Sequence, residues 1–350
     1  MNQSSKPQRK HISLALQGGG AHGAFTWGVL DRLMRDKHIF IDGISGTSAG
    51  AMNAAVFTDG FIKGGRQGAV DNLYTFWKKV SEQSVLTAHN GNGWGTGSWF
   101  APQSADPWNV DNAPAFMMAD FVTRMFSPYQ LNPMNINPLR DILMDMVDFE
   151  QLRRRKDIKL FVSATNVRTC KLKLFRTNEL CVEALLASAC IPLAFQAVEF
   201  RGEHYWDGGY LANPAISPLI HECHSGDVII VQINPMNRPD LPKTAREILN
   251  RLNEISFNST LVREMSGMAT ISKLVADGKL KDTPYRKVNF HMIAAEDEMS
   301  RLGASSKFNA DWRFLHELYE LGVETTETWL EENFDYINVK STLNMVETYT

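Results

Sequence analysis

Short apolar runs and segments with the apolar spacing of a helix follow one another along the N-terminal part of the chain. The apolar run His11–Leu16 leads into three glycines, and apolar residues then recur at helical spacing from Ala24. A second apolar run, Ile39–Ile44, ends close to Gly46 and precedes a helix-like segment of small residues, Ala49–Phe57. A strand, a turn and a helix, repeated in this way, predict an α/β sheet.

Further strand and helix patterns follow in the second half of the chain. Helices are predicted over Val182–Ala189 and 243–277, and residues 306–333 have the pattern of a long amphipathic helix pair. Strands are predicted at Lys159–Ala164, Lys171–Arg176, a pair within Phe195–Tyr205, Asp227–Ile233 and Val288–Ala294. We therefore expect a three-layer α/β sandwich, with a mostly parallel sheet, helices on both of its faces and a helical C-terminal region.

Changes in composition divide the chain into regions. Residues 1–10 are polar and basic, which predicts a disordered tail. From about 84 to 156 the chain is rich in Gly, Trp and Met, and a short glycine-rich part of it holds Trp94, Trp99 and Trp108. Long loops with soft apolar side chains are typical of lids over apolar clefts, so we expect a lid inserted into a core domain over 11–235. Residues 236–350 are expected to pack on that core as a mostly helical region.

Charge and cysteine content exclude several classes of protein. The chain of 350 residues has a net charge of −3 at pH 7, without the basic excess typical of nucleic-acid binding. It has neither an apolar run near the ~20 residues of a membrane span nor a signal peptide, which predicts a cytoplasmic protein whose membrane contact is peripheral. The four cysteines lack CxxC spacing, so neither a zinc site nor a disulfide framework is expected.

The pentapeptide Gly46-Thr47-Ser48-Ala49-Gly50 has the GxSxG pattern and lies between an apolar strand and a helix of small residues. Glycines at both ends allow a tight turn that exposes the serine hydroxyl. The N-terminus of the following helix favours negative charge on that oxygen. The pattern predicts that Ser48 is a nucleophile, supported by Gly46 and Gly50.

A glycine-rich loop, Gly18–Gly23, joins the first strand to the first helix. Backbone amides of such a loop can stabilise the oxyanion that forms when an ester carbonyl is attacked. The same residues also satisfy GxGxxG, and Asp42 follows at the distance typical of a dinucleotide-binding fingerprint. A nucleotide-binding oxidoreductase is therefore an alternative, although it leaves the GxSxG motif unexplained.

The tripeptide Asp207-Gly208-Gly209 follows a predicted strand and precedes Asn213-Pro214. An aspartate between a strand end and two glycines can expose its carboxylate to a cleft, so Asp207 is the candidate base for Ser48, with Gly208 and Gly209 as support. Burial near the elbow would raise the pKa of this aspartate. A Ser-His-Asp triad is the rival mechanism, and its order in the chain makes eligible His221, His224, His291 and His316.

The order of these motifs resembles that of the patatin-like phospholipases, which are acyl hydrolases with a Ser–Asp dyad. The similarity extends over about residues 10 to 235 and includes the small-residue block Ala187–Phe195. The resemblance implies that Ser48 is the nucleophile and Asp207 the base, that no cofactor or metal is needed, and that an oxyanion hole is formed by Gly18, Gly19, Gly20 and Ala21. One departure is His22, because the family often has Arg or Lys at that position.

The resulting prediction is a serine hydrolase that cleaves fatty-acyl esters of phospholipids or lysophospholipids through an acyl-enzyme. Its expected partners are the lipid substrate and, transiently, a membrane surface or lipid aggregate, but no nucleic acid. Assembly into a homo-oligomer stays open. The alternatives are a Rossmann-type oxidoreductase and a catalytically idle lipid-binding protein.

Overall fold

A mixed sheet forms the centre of the computed structural model, which describes residues 9–89, 122–123, 125–279 and 287–350. Within these residues the sheet has eight strands in the order β5-β6-β3-β2-β1-β7-β8, with β4 paired to β3. The strands are β1 (Lys10–Leu16), β2 (Ile39–Gly46), β3 (Lys159–Asn166), β4 (Leu172–Arg176), β5 (Val198–Phe200), β6 (Glu203–Asp207), β7 (Asp227–Gln232) and β8 (Asn289–Ala294).

The pairing of the strands follows their position in the sheet. The central strands β3, β2, β1, β7 and β8 are parallel to one another, whereas β4, β5 and β6 add antiparallel pairs beside β3. The fold class predicted from the sequence is confirmed. The strand β8 belongs to the C-terminal region and extends the sheet beyond β7, so that region shares the core of the preceding domain.

Helices cover both faces of the sheet. They are α1 (Gly23–Arg35), α2 (Ala49–His89), α3 (Pro128–Leu131), α4 (Pro138–Met146), α5 (Phe149–Arg154), α6 (Val182–Ser188), α7 (Ser217–Glu222), α8 (Ala245–Ala276), α9 (Glu296–Ser300), α10 (Trp312–Asn333) and α11 (Met345–Tyr349). Short 3₁₀ turns lie at Gly20–His22, Thr177–Glu179, Gly208–Tyr210, Ala304–Phe308 and Phe334–Tyr336. The helix pair predicted over 306–333 is wrong, because this segment is a 3₁₀ turn followed by the single helix α10.

Two hydrophobic clusters lie on opposite faces of the sheet, because successive strand residues point to opposite sides. In β1, Leu14 and Leu16 belong to the cluster under α1, α2 and α10, whereas Ala15 belongs to the cluster under α7 and α8. In β7, Ile229 belongs to the first of these clusters and Ile230 to the second. This alternation explains why strands that look uniformly apolar in sequence are buried on both faces.

The predicted insertion lies only partly within the described residues. Trp94, Trp99 and Trp108 and most of the predicted tail lie outside them, so the lid stays a prediction. The later part of the insertion forms α4 and α5, whose side chains Leu143, Met146 and Leu152 are buried in the main core. None of the described helices combines the length and apolar sequence of a transmembrane helix.

Candidate active site

Ser48 lies at a sharp turn between β2 and α2. Its φ angle is +53°, in the left-handed region that side chains other than glycine rarely adopt. The turn is held from two sides: the Ser48 amide donates to Ser188 Oγ at 2.9 Å, and Thr47 Oγ1 donates to the carbonyl of Ala212 at 2.8 Å. A strained serine between a strand and a helix is the geometry of a nucleophile elbow.

The two glycines of the GxSxG motif allow close contact between backbone segments. The positive φ angle of the motif is at Ser48, between them. A Cβ on Gly46 would lie 2.6 Å from the carbonyl oxygen of Gly50, and a Cβ on Gly50 would meet the carbonyl of Leu16 at the end of β1. Larger residues at either position would push α2 away from the sheet. The glycines therefore allow the helix to start directly over the strand ends.

The glycine-rich loop after β1 packs against this elbow. A Cβ on Gly18 would lie 2.7 Å from the Cβ of Ser48, so the absence of a side chain allows the close approach. Gly20 has φ +59° and starts the 3₁₀ turn that leads into α1. Amides at the start of such a turn have no partner within it. In the described part of the chain, the amides of Gly19, Gly20 and Ala21 make no hydrogen bond.

The amide of Gly18 differs from its neighbours because it is already bonded. It donates to Asn213 Oδ1 at 2.7 Å, and the carbonyl of Gly18 accepts from Asn234 Nδ2 at 2.8 Å. Gln17 Oε1 accepts from the amides of Ile233 and Asn234 and so ties the loop to the end of β7. The loop is held in place by side chains from two other loops, and Gly18 acts as its anchor.

Asp207 is the last residue of β6, and its side chain is buried next to the elbow. The Ser48 side chain is near enough to the carboxylate to favour its charged form. Oδ1 accepts from the amide of Gly209 at 2.7 Å, which orients the carboxylate. Its backbone is fixed by Thr165 Oγ1, which donates to the carbonyl at 2.8 Å, and by its amide, which donates to Cys190 O at 2.8 Å.

Burial raises the pKa of Asp207 from its ordinary value to about 7. Loss of solvent disfavours the charged carboxylate, and the hydrogen bond from the Gly209 amide and the nearby Ser48 side chain, together with the charge of Lys307, offset part of this effect. An aspartate with a pKa near neutrality accepts a proton from a hydroxyl far better than an exposed one would. The predicted rise in its pKa is confirmed.

Comparison with known families agrees with this geometry. The profile described as Patatin-like phospholipase matches residues 14–220, which is more than half of the chain and includes the elbow, the glycine loop and Asp207. The chain belongs to the patatin-like phospholipase family. Family membership supports lipid hydrolase activity. A search of curated proteins finds no significant match.

Two solved structures resemble this patatin-like protein weakly. VipD from Legionella pneumophila is 15% identical with a TM-score of 0.32, and the match covers 99% of this chain and 79% of that one. A chain of the heterodimeric ExoU–SpcU complex from the type III secretion system of Pseudomonas aeruginosa is 17% identical with a TM-score of 0.36, over 93% of this chain and 53% of that one. The present chain therefore spans about half the length of the second relative.

Asp42 lies away from the glycine loop of the patatin-like site, contrary to the dinucleotide alternative. It lies four residues before the end of β2, and its carboxylate accepts from the amides of His224 and Ser225 just before β7 begins. The carboxylate therefore holds a loop at the opposite edge of the sheet. An acidic residue at that edge cannot reach a ribose bound at Gly18–Gly23.

Two of the histidines considered for a triad, His291 and His316, have other partners in this patatin-like fold. His291 Nε2 lies 2.9 Å from Asp227 Oδ1, at the first residue of β7, and Nδ1 lies 2.9 Å from Thr342 Oγ1. His316 is on α10, with Nδ1 3.4 Å from Glu320. The absence of a catalytic histidine stays a prediction.

His22, the departure from the family pattern, is buried and uncharged. Ser306 Oγ donates its proton to the carbonyl of Gly303, so it must accept from His22 Nε2 at 2.7 Å. Burial lowers the pKa of His22 well below its ordinary value, and the nearby charges of Lys307 and Arg238 lower it further. The position that is often basic in patatin-like proteins therefore carries no charge here.

The sequence analysis assigns no role to four side chains at the site: Ser188, Asn213, Asn234 and Lys307. Asn213 stands between the Asp-Gly-Gly turn and Pro214, and Asn234 comes shortly after the buried strand β7. Each could have been noticed as a polar residue just after an element that the sequence predicts. Lys307 comes from the C-terminal region, and nothing in the local sequence marks it. Its Nζ donates to Asn234 Oδ1 at 2.8 Å.

Proposed function

We propose that the protein hydrolyses fatty-acyl esters through an acyl-enzyme, with Ser48 as the nucleophile and Asp207 as the base. The observation that carries this proposal is the buried carboxylate of Asp207 next to the strained elbow of Ser48, whose hydroxyl is near enough to favour the charged form of that carboxylate. A serine on a strained elbow beside a base is the arrangement that nucleophilic catalysis requires.

In the acylation step, Asp207 accepts the proton of Ser48 Oγ while the oxygen attacks the carbonyl carbon of the ester. The electron pair of the carbonyl bond moves to its oxygen, and a tetrahedral oxyanion forms. When the intermediate collapses, the bond to the alcohol breaks and the alcohol leaves with the proton from Asp207. In deacylation, Asp207 accepts a proton from water while the water oxygen attacks the acyl carbon. When the bond between that carbon and Ser48 Oγ breaks, the proton passes from Asp207 to Oγ, and the fatty acid is released.

The oxyanion is bound, in this proposal, by the amides of Gly19, Gly20 and Ala21. They lie beside the elbow, and no acceptor for them exists among the described residues. Gly18, which the sequence analysis included in the oxyanion hole, supports it by anchoring the loop through Asn213. Amides fixed before the reaction stabilise developing charge without reorganising.

We propose phospholipids or lysophospholipids as substrates, taken from a membrane surface or a lipid aggregate. An exposed apolar stripe on the first turns of α8 supports this, formed by Ile248, Leu249, Leu252 and Ile255. Their spacing places them on one face of the helix. Two residues further on, Phe257 contacts Gly209 and packs against Tyr210, with the ring centres 5.4 Å apart. Two residues span about 200° around an α-helix, so Phe257 lies on the side opposite the stripe. The stripe therefore covers the outer side of a helix whose inner side packs on the catalytic turn.

Labelling with a fluorophosphonate tests the proposal directly, because this reagent needs an activated serine. We expect one adduct, on the peptide that contains Ser48, and no adduct in Ser48→Ala. Ser127→Ala is a matched control, since Ser127 is exposed at the start of α3 and should label like the wild type. A folded wild-type protein that binds lipid vesicles but takes no label would instead be a lipid-binding protein without hydrolase activity.

A further inference from the structure

Lys307 lies where the glycine loop, β7 and α8 meet. The 3₁₀ turn Ala304–Phe308 packs on the glycine loop so closely that a Cβ on Gly20 would meet the carbonyl of Lys307. Nζ donates to Asn234 Oδ1, and Nδ2 of the same amide donates to Gly18. Nζ also lies 5.7 Å from the centre of the Phe257 ring, beside Gly209. The ammonium group therefore lies between the proposed oxyanion hole and the base.

The charges around Lys307 are not balanced. Arg238 and Arg251 share one carboxylate, that of Glu254, and each also donates to a backbone carbonyl. Lys307 has no carboxylate within salt-bridge distance among the described residues, and it is partly buried. Arg238 and Glu254 act on Lys307 with opposite signs, so the ammonium group keeps its positive charge in a region that water reaches poorly. Such a region favours binding of an anion.

We propose that Lys307 binds the phosphodiester group of a phospholipid substrate while Ser48 attacks its acyl ester. This inference rests on the proposed function and specifies its substrate class. The phosphate of a glycerophospholipid is a few bonds from the acyl carbonyl, so a cation next to the oxyanion hole meets it when the carbonyl is in place. His22 is neutral and cannot supply this positive charge. Lys307 supplies it instead, from the same turn of the C-terminal region in which Ser306 bonds to His22.

The experiment compares two substrates with the same acyl chain, 1-oleoyl-lysophosphatidylglycerol and 1-oleoylglycerol, in the same mixed micelles. We expect Lys307→Met to lower the ratio of kcat/KM for the first to kcat/KM for the second by about 10- to 100-fold, mainly through KM, because a hydrogen bond to a charged group is lost. Lys307→Arg should restore most of the ratio. Lys171→Met removes an exposed lysine on the β3–β4 connection and should leave the ratio unchanged.

The pH dependence of the same ratio gives a second readout. Desolvation lowers the pKa of Lys307 to about 8, with Arg238 acting in the same direction and Glu254 and Asp207 opposing it. The wild-type ratio should therefore fall as the pH rises from about 7 to 9.5. In Lys307→Arg, whose guanidinium stays charged, it should stay constant.

Each outcome decides between hypotheses. If Lys307→Met slows both substrates by the same factor, Lys307 acts on the oxyanion or on Asp207 and the proposal is overturned. It is also overturned if the variant changes neither rate, or if inorganic phosphate inhibits the wild type through Lys307 while the ratio stays unchanged, since the site would then bind free phosphate. If the folded wild type cleaves neither ester, the proposed function fails before this inference is reached.

Discussion

The carboxylate of Asp207, at the end of β6, is buried beside Ser48, in the turn after β2, and the serine side chain favours the charged form of the carboxylate. β3 lies between these two strands, pairing with β2 and with β6. The pair is therefore fixed by the rigid sheet more than by either loop. A base held in this way meets the nucleophile without reorganisation.

Removing either member of this pair should abolish ester hydrolysis. Ser48→Ala and Asp207→Asn are each expected to lower kcat on p-nitrophenyl esters by at least ~10³-fold, and the double variant should be no slower, because both groups act in one step. Steady-state kinetics with each purified variant measures this. Near wild-type turnover by either folded single variant would contradict the assignment.

The ionisation of Asp207 should control the pH profile. The base must be charged to accept the proton of Ser48, and burial raises its pKa to about 7. We expect kcat/KM on a short soluble ester to fall about tenfold per pH unit below 7 and to level off above it. Initial rates between about pH 5 and 8, with fluorescence to confirm folding, test this. A midpoint near 4 would show that Asp207 behaves as an ordinary carboxylate.

The raised pKa of Asp207 also predicts a cost in stability at neutral pH. Because the folded state holds the proton more tightly than the unfolded state, this group stabilises the fold below about pH 4, and the contribution is lost as the pH rises through 7. Asp207→Asn should therefore raise the free energy of unfolding at about pH 8 by roughly 1–3 kcal/mol relative to the wild type. Urea unfolding at about pH 4 and 8 measures the difference, which should disappear at the lower pH.

A charge on the apolar stripe of α8 should weaken hydrolysis of aggregated lipid selectively. Leu252 is 57% exposed, and Leu252→Glu is expected to lower the ratio of vesicle to soluble-ester activity about tenfold, because an inserted leucine contributes roughly 1.5–3 kcal/mol. Val339→Glu is the control. Val339 is 60% exposed, and its neighbour Asn338 bonds to the first residue of β7, at the edge of the sheet away from the site. Equal losses on both substrates would mean that the stripe does not meet lipid.

No histidine should act as the base. Gln variants of His221, His224 and His316 are expected to keep kcat within about tenfold of the wild type, against the ~10⁴-fold loss of a triad base. His291→Gln needs a stability measurement beside the kinetics, because His291 is buried against Asp227. A collapse of kcat in any folded variant would revive the triad mechanism.

Local patterns in the sequence were sufficient for most of the individual elements. The sequence shows the apolar run of β1, the small residues after Ser48 and the glycines of the first loop directly. They reflect contacts between near neighbours, so they can be recognised without the fold. The motif order also predicted which residues meet, Ser48 and Asp207, although their pairing depends on β3 lying between their strands. The helix pair predicted at 306–333 was wrong, because the local pattern of apolar residues does not distinguish one long helix from two.

Tertiary structure alone decided which residues surround that pair. Parallel strands bring their carboxyl ends to one edge, so Asn234 after β7 reaches the loop after β1, and a turn of the C-terminal region brings Lys307 beside it. The same arrangement of strands places Asp42 far from the site. Asp42 lies within β2, and its carboxylate bonds to the loop just before β7 begins. Contacts of this kind depend on the order of strands in the sheet, which periodicity along the chain does not encode. The chain itself therefore identifies the candidate nucleophile, the candidate base and the glycine loop, whereas the charge that surrounds them comes from the fold.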